Sequence, residues 1–216
     1  MLDLLTPQDR GDLLRAGTPR TYEPGDVLMH EGDRTAFAMI LRTGHTIVSV
    51  STAQGNRLVL ALRGPGDLLG ELAALDGEAR SATVTALVPV EAVVVPVEQF
   101  RRLLLTRPAA AQVVLRTLGT RLRDSDAARR ELVAATLLQR VAKILGQLAD
   151  RAGRPTPEGV LIDLPLPQHE LAGLAGATRE GTAKALAVLR AGGAVQTRPR
   201  QTFVTDRALL DAVAGL

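Results

Sequence analysis

Arg179, Glu180 and Lys184 share one face at the start of a helix predicted over Arg179–Ala191. Their chemistry suits base edges in a DNA major groove. Arg179 can donate two hydrogen bonds to guanine O6 and N7, Glu180 can accept from a cytosine amino group, and Lys184 can reach a guanine edge or a phosphate. Glu180 and Lys184 are also four residues apart, the spacing of an ordinary solvated ion pair. Ala185, Leu186 and Leu189 point the other way, toward a core. Thr178 is the expected N-cap. With Gln168, at the start of the preceding helix, it can hold phosphates. Arg198 and Arg200, on a predicted strand–turn–strand, can grip the flanking backbone.

A second group lies upstream. Gly66-Asp67-Leu68-Leu69-Gly70-Glu71-Leu72-Ala73-Ala74-Leu75 is followed by Ala79-Arg80-Ser81-Ala82-Thr83. This reads as a turn, a short helix and an arginine among small residues. A helix N-terminus with Arg80 and Ser81 can cradle one phosphate. Glu71 can accept from a ribose hydroxyl. Spacing alone leaves a structural Glu71–Arg80 ion pair equally open.

Both groups need elements to position them. Thr6 and Pro7 open a short helix running to Ala16. From Thr18 to Pro96, glycine-bearing turns separate short β-prone runs at Val27–Met29, Ala38–Leu41, Thr46–Val50, Arg57–Leu62, Val84–Leu87 and Val90–Val95. Such spacing predicts a small antiparallel roll, with no helical crossovers of the kind a parallel sheet needs. A short helix over residues 98–104 precedes a long one from Ala109 to Thr136. Val114, Leu118, Leu122, Ser125, Arg129 and Leu132 form a stripe on it, widened by Val113, Arg121, Ala128 and Ala135. The expected cover for that stripe is a second copy, in a coiled-coil-like homodimer. Then come a helix over Leu137–Ala149, a proline-rich turn from Gly153 to Gly159, a strand at Leu161–Leu164, and the helix pair 167–175 and 179–191. Gly176-Ala177-Thr178 forms the turn of that pair, where glycine supplies positive φ or close approach. A two-strand wing and a helix from Asp206 to Val213 close the chain. The fold class is α+β, with a β-roll (1–108), a dimerisation helix (109–136) and a winged helix-turn-helix (137–216).

Composition narrows the function classes. The chain has 216 residues and no cysteine, which excludes disulfides and thiolate metal sites. His30, His45 and His169 are scattered, so no metal site and no catalytic triad is expected, and the chain reads as a non-enzyme. Four aromatic residues are too few for a base-stacking platform. No signal-like or membrane-length apolar run appears, and a cytoplasmic protein is expected. Residues 137–216 carry ten Lys/Arg against seven Asp/Glu, the entire net charge of +3. Between Gly176 and Arg207 the ratio is six to two, a bias suited to a phosphate backbone.

The stretch from Leu166 to Leu186 resembles the cyclic AMP receptor protein and fumarate–nitrate regulator superfamily. The resemblance implies that Arg179, Glu180 and Lys184 read each half of a palindromic operator. Lysine stands where arginine is more usual, and Gly181 where a larger residue is common. The stretch 66–83 resembles the phosphate-binding cassette of cyclic-nucleotide domains. That implies Glu71 on the ribose 2′-hydroxyl, Arg80 and Ser81 on the cyclic phosphate, and Gly70 and Ala82 as small backbone positions. It further implies that Ser125 and Asp126 on the long helix meet the base, with Asp126 in place of a more familiar serine or asparagine. Implied partners are duplex DNA, a second copy, RNA polymerase and cyclic AMP as effector. Two alternatives remain: a ligand-independent stress or redox-response regulator of the same fold, and a cyclic-nucleotide-binding interaction module that does not bind DNA.

Overall fold

The computed structural model describes residues 1–51, 57–198 and 201–216. These fall into two compact units, one of residues 1–51 and 60–126, the other of residues 57–59, 127–198 and 201–216.

The first unit opens with a single 3-10 turn, Leu2–Leu4, and helix α1 (Pro7–Arg15). Thr6 caps α1 by accepting from the Asp9 amide. Strands follow: β1 (Thr18–Tyr22), β2 (Val27–Met29), β3 (Phe37–Thr43), β4 (Thr46–Ser51), β5 (Arg57–Arg63) and β6 (Leu68–Leu69). Helix α2 (Glu71–Asp76), β7 (Thr83–Ala86), β8 (Val90–Pro96) and α3 (Val97–Thr106) follow, and α4 (Pro108–Ala134) belongs to this unit as far as Asp126 and to the second beyond it, just as residues 57–59 of β5 belong to the second. The sheet orders are β1-β8-β3-β6 and β2-β7-β4-β5, and the β1–β8, β2–β7, β3–β6, β3–β8 and β4–β7 pairs are antiparallel.

Side-chain alternation explains how two cores form around one sheet. In β3, Ala38 and Ile40 face one way and Met39 and Leu41 the other, all four fully buried. In β8, Val93 and Val95 oppose Val90 and Ala92 in the same manner. Ala38, Ile40, Val93 and Val95 pack with Leu13, Phe100, Ala110 and Val114 from α1, α3 and α4. Met39, Leu41, Val90 and Ala92 pack with Leu28, Met29, Val84 and Ala86 from the facing sheet.

This arrangement corrects the expectation that a second copy must cover the whole stripe of α4. Val114 is buried in the chain's own core, and Val113 and Leu118 pack against it. Leu115 and Leu122 are left 66% and 64% exposed. The apolar surface left to a partner is therefore the remainder of the stripe, Leu122 and the 52% exposed Leu132, with Leu115 beside it. Two strands lie outside the expected runs. Thr18-Pro19-Arg20-Thr21-Tyr22 pairs with β8 along its whole length, and Leu68–Leu69 pairs with β3.

In the second unit α5 (Leu137–Ala152) starts with a capping box between Thr136 and Gln139. Its buried face, Val141, Ala142, Leu145, Leu148 and Ala149, supplies much of that unit's core. Strands β9 (Gly153–Thr156) and β10 (Gly159–Ile162) occupy what was expected to be a turn and a later strand. They join β11 (Val195–Arg198) and β12 (Gln201–Val204) in a sheet of order β11-β12-β10-β9. Helices α6 (Gln168–Leu174) and α7 (Arg179–Ala191) lie between, and α8 (Arg207–Ala214) closes the chain with Asp206 as its cap. Arg207 pins α8 to α5 by donating to Asp150 and to the Gly146 carbonyl.

Candidate functional site

The helix pair is set by its turn. Gly176 has φ +59°, which places it in the left-handed region. The Gly176 amide donates to the Gly173 carbonyl and the Ala177 amide to the Ala172 carbonyl, so the chain reverses within three residues. Arg140 of α5 grips the same corner, its Nε donating to the Ala175 carbonyl at 2.9 Å. Thr178 then caps α7, accepting from the Gly181 amide at 3.1 Å.

The two faces of α7 separate as its sequence predicts. Thr182, Ala185, Leu186 and Leu189 are buried. Arg179, Glu180 and Lys184 are exposed, and Glu180 and Lys184 pair at 2.7 Å. That pair is solvated, worth well under about 1 kcal/mol, so it presents both side chains without committing them. Gly181 turns inward. A Cβ on it would lie 3.0 Å from Cδ2 of Leu137, the first residue of α5. Gln168 is exposed at the start of α6. On the wing, Arg198 pairs with Glu158 at 2.8 Å and lies over the Phe203 ring at 4.9 Å. Arg200 falls outside the described residues.

The cassette group comes together around Arg80, whose side chain joins two segments, one at Thr35 and Phe37 and the other at Gly70. Its Nε donates to Thr35 Oγ1 at 2.9 Å, Nη1 to the Gly70 carbonyl at 2.8 Å and Nη2 to the Phe37 carbonyl at 2.7 Å. The guanidinium carbon also lies 4.5 Å from the Phe37 ring centroid. Arg80 is 3% exposed. Burial pushes its pKa down, while the charges of Glu71 and Asp33 pull it back up. An arginine stays charged under such a load. The cassette therefore holds a buried cation.

Gly70 is the N-cap of α2 at φ +69°. A Cβ there would sit 2.3 Å from Arg80 Nη1 and 2.9 Å from the Met29 side chain. Gly70→Ala is accordingly expected to lower the stability of the first unit by about 2 kcal/mol, from backbone strain and overpacking together. Thermal denaturation checks it, and an unchanged melting temperature would contradict this packing.

Glu71 is buried, but its ion-pair partner is Arg121 rather than Arg80. Arg121 Nη1 donates to Glu71 Oε1 at 2.5 Å and Nη2 to the Leu68 carbonyl at 2.6 Å. The expectation of a possible Glu71–Arg80 pair is thus corrected: Arg80 acts on Glu71 through its field, while α4 supplies the bonded cation. Ser81 is exposed and Ala82 half-buried. Ser125, exposed, and Asp126, half-buried, follow Arg121 by about one helical turn. Sequence reasoning placed Arg121 on the long helix without a role and did not single out Thr35. Both meet their partners across more than forty residues, where no spacing rule operates.

Two family models match. One, described as a cyclic nucleotide-binding domain, covers residues 19–107, and the other, a Crp-like helix-turn-helix domain, covers residues 139–213. The chain is 29% identical over 188 residues to the CRP-like cAMP-activated global transcriptional regulator of Mycobacterium tuberculosis, spanning 87% of this chain and 84% of that one. It is 29% identical over 210 residues to the cyclic AMP receptor protein of Thermus thermophilus, spanning 97% and 94%. Among solved structures, the c-di-GMP-responsive global regulator CLP of Xanthomonas campestris matches with a TM-score of 0.79 at 21% identity, over 93% of this chain and 100% of that one.

Proposed function

We propose, because the chain belongs to the CRP/FNR superfamily of bacterial transcription regulators, that it is a homodimeric, sequence-specific DNA-binding regulator controlled by a cyclic purine nucleotide, cyclic AMP first among them. The superfamily is one of regulators rather than enzymes. The recognition helix carries the DNA reading. Its buried side is apolar, its exposed side holds Arg179, Glu180 and Lys184, and its N-terminus is capped. Thr178, Gln168, Arg198 and Arg200 would hold the phosphates around it.

Dimerisation would use the exposed residues of α4, Leu115 and Leu122 first. Two recognition helices related by the dimer axis would meet successive major grooves of a palindrome, roughly 34 Å apart. RNA polymerase is the partner such a regulator would engage on DNA.

In the effector pocket, Arg80 and Ser81 would take the cyclic phosphate, Glu71 the ribose, and Ser125 and Asp126 the base, with Gly70 and Ala82 giving close backbone approach. The M. tuberculosis and T. thermophilus relatives are a cAMP-activated regulator and a cyclic AMP receptor protein, which favours adenine. Gel-shift titration of a palindromic duplex pool, with and without cyclic AMP, tests the reading. Retarded complexes that tighten with nucleotide support it, and no retardation under either condition refutes it. Light scattering should give twice the 22.8 kDa chain mass, with Leu122→Glu shifting it toward monomer. Persistent monomer in the wild type would remove the dimer.

One observation favours a second reading. Glu71 is already ion-paired with Arg121, and Arg80 is held by three protein oxygens, so the cassette is assembled before any ligand arrives. A ligand-independent regulator would show full duplex affinity without nucleotide in the same titration.

A further inference from the structure

We propose that Thr35 is a positioning residue for Arg80, fixing the guanidinium so that its remaining donors fit an anionic phosphodiester; this rests on the effector reading above. An arginine carries five N–H donors. Three of Arg80's are bonded, to Thr35 Oγ1, the Gly70 carbonyl and the Phe37 carbonyl. Two N–H groups of a residue that is 3% exposed are left without a partner among the described residues. A buried cation with spare donors is a site for an anion.

The segment around Thr35 holds Arg80 at both ends. Its backbone brackets the residue, with the Gly32 amide donating to the Arg80 carbonyl at 2.9 Å and the Arg80 amide donating to the Asp33 carbonyl at 2.8 Å. Its side chains fix the guanidinium, with the Phe37 ring against the face and the Thr35 hydroxyl on Nε. Of the three oxygens on the guanidinium, two are backbone carbonyls that survive any substitution. Thr35 Oγ1 alone is a side-chain group. It therefore decides whether Nε–H is tied down or free to turn.

The two remaining donors match the two exocyclic oxygens of a singly charged phosphodiester. A terminal phosphate brings a second negative charge into reach of Glu71, whose field already acts on Arg80. Freeing Nε–H loosens the guanidinium plane and offers a third donor, which costs the diester its fit and compensates a monoester.

Titration calorimetry with cyclic AMP and with 5′-AMP, on the full-length wild type, Thr35→Val and Thr35→Ser, tests this. Valine keeps the shape and removes the acceptor, while serine retains it. In Thr35→Val, cyclic AMP should weaken roughly 10-fold, the worth of one charge-assisted hydrogen bond, and 5′-AMP by less than about 3-fold. Thr35→Ser should restore the wild-type preference. Equal losses for both ligands would mark a merely structural threonine, and unchanged cyclic AMP binding in Thr35→Val would remove its role, each overturning the proposal. Wild-type protein that takes up neither ligand would overturn the effector reading and this inference with it. Melting curves of each variant separate misfolding from these outcomes.

Discussion

Arg80→Ala is expected to do two things at once: remove cyclic AMP binding and lower the melting temperature in the absence of any ligand. The second effect follows from the oxygens left behind. Thr35 Oγ1, the Gly70 carbonyl and the Phe37 carbonyl all lose a charged donor, and Glu71 loses a neighbouring cation. Unsatisfied polar groups of this kind cost on the order of 1–3 kcal/mol each, and partial access to water brings the sum to about 3 kcal/mol. For a chain of this size that is a fall of roughly 10 °C. The first effect is read separately. Saturating nucleotide at about 100 times its Kd should stabilise the wild type by about 2.7 kcal/mol, and Arg80→Ala should show no such rise. A ligand-induced rise equal to that of the wild type would place the phosphate elsewhere. Arg80→Lys keeps the charge but loses the fork, and should recover part of the stability and little of the binding.

Arg80 stood out in the sequence as an arginine among small residues after a glycine turn, although spacing left a phosphate contact and a structural ion pair both open. The hydrophobic alternation of β3 and β8 was legible too, as was the Gly176 turn with its Thr178 cap, where local chemistry and local structure coincide. What was not legible depended on distant pairing. β1, Thr-Pro-Arg-Thr-Tyr, has no apolar alternation and carries a proline. It is a strand because β8 offers a free edge seventy residues later. β9, Gly-Arg-Pro-Thr, is the edge of its own sheet for the same reason. Which end of the α4 stripe the roll would bury could not be read either. Val114 and Leu115 are adjacent and both apolar, and only the position of Phe100 and the roll decides which one is buried.

Glu180→Ala should change which duplexes are bound more than how tightly the best is bound. Glu180 is 79% exposed by its side chain and its partner Lys184 76%, so the substitution removes no packing. Loss of an acceptor for one cytosine amino group should relax discrimination at a single base pair by on the order of 1–3 kcal/mol, up to about a hundredfold. Selection from a randomised palindromic pool, followed by titration of point-substituted duplexes, measures it. The symmetric half-site should relax at the mirrored position. Arg198→Ala should instead weaken all duplexes alike and flatten the dependence on salt if, as proposed, it would hold phosphate and not bases. A uniform loss in Glu180→Ala would assign Glu180 a structural part, and a sequence-selective loss in Arg198→Ala would move the wing into base reading.

The inward turn of Gly181 bears on how such a regulator can acquire new targets. Glu180 and Lys184 are exposed, so positions 180 and 184 can be exchanged with no debt to the core, and under the proposed reading such exchanges would alter the operator. Position 181 sits between them in the chain yet answers to a different constraint. A side chain there must find room against Leu137, and Thr182 beside it is fully enclosed. The helix thus contains two classes of site: outward ones that should tolerate exchange freely, and inward ones that should change only in step with α5. A compensating reduction at Leu137 would have to precede or accompany any enlargement at 181, so the two positions should vary as a pair across descendants of this chain.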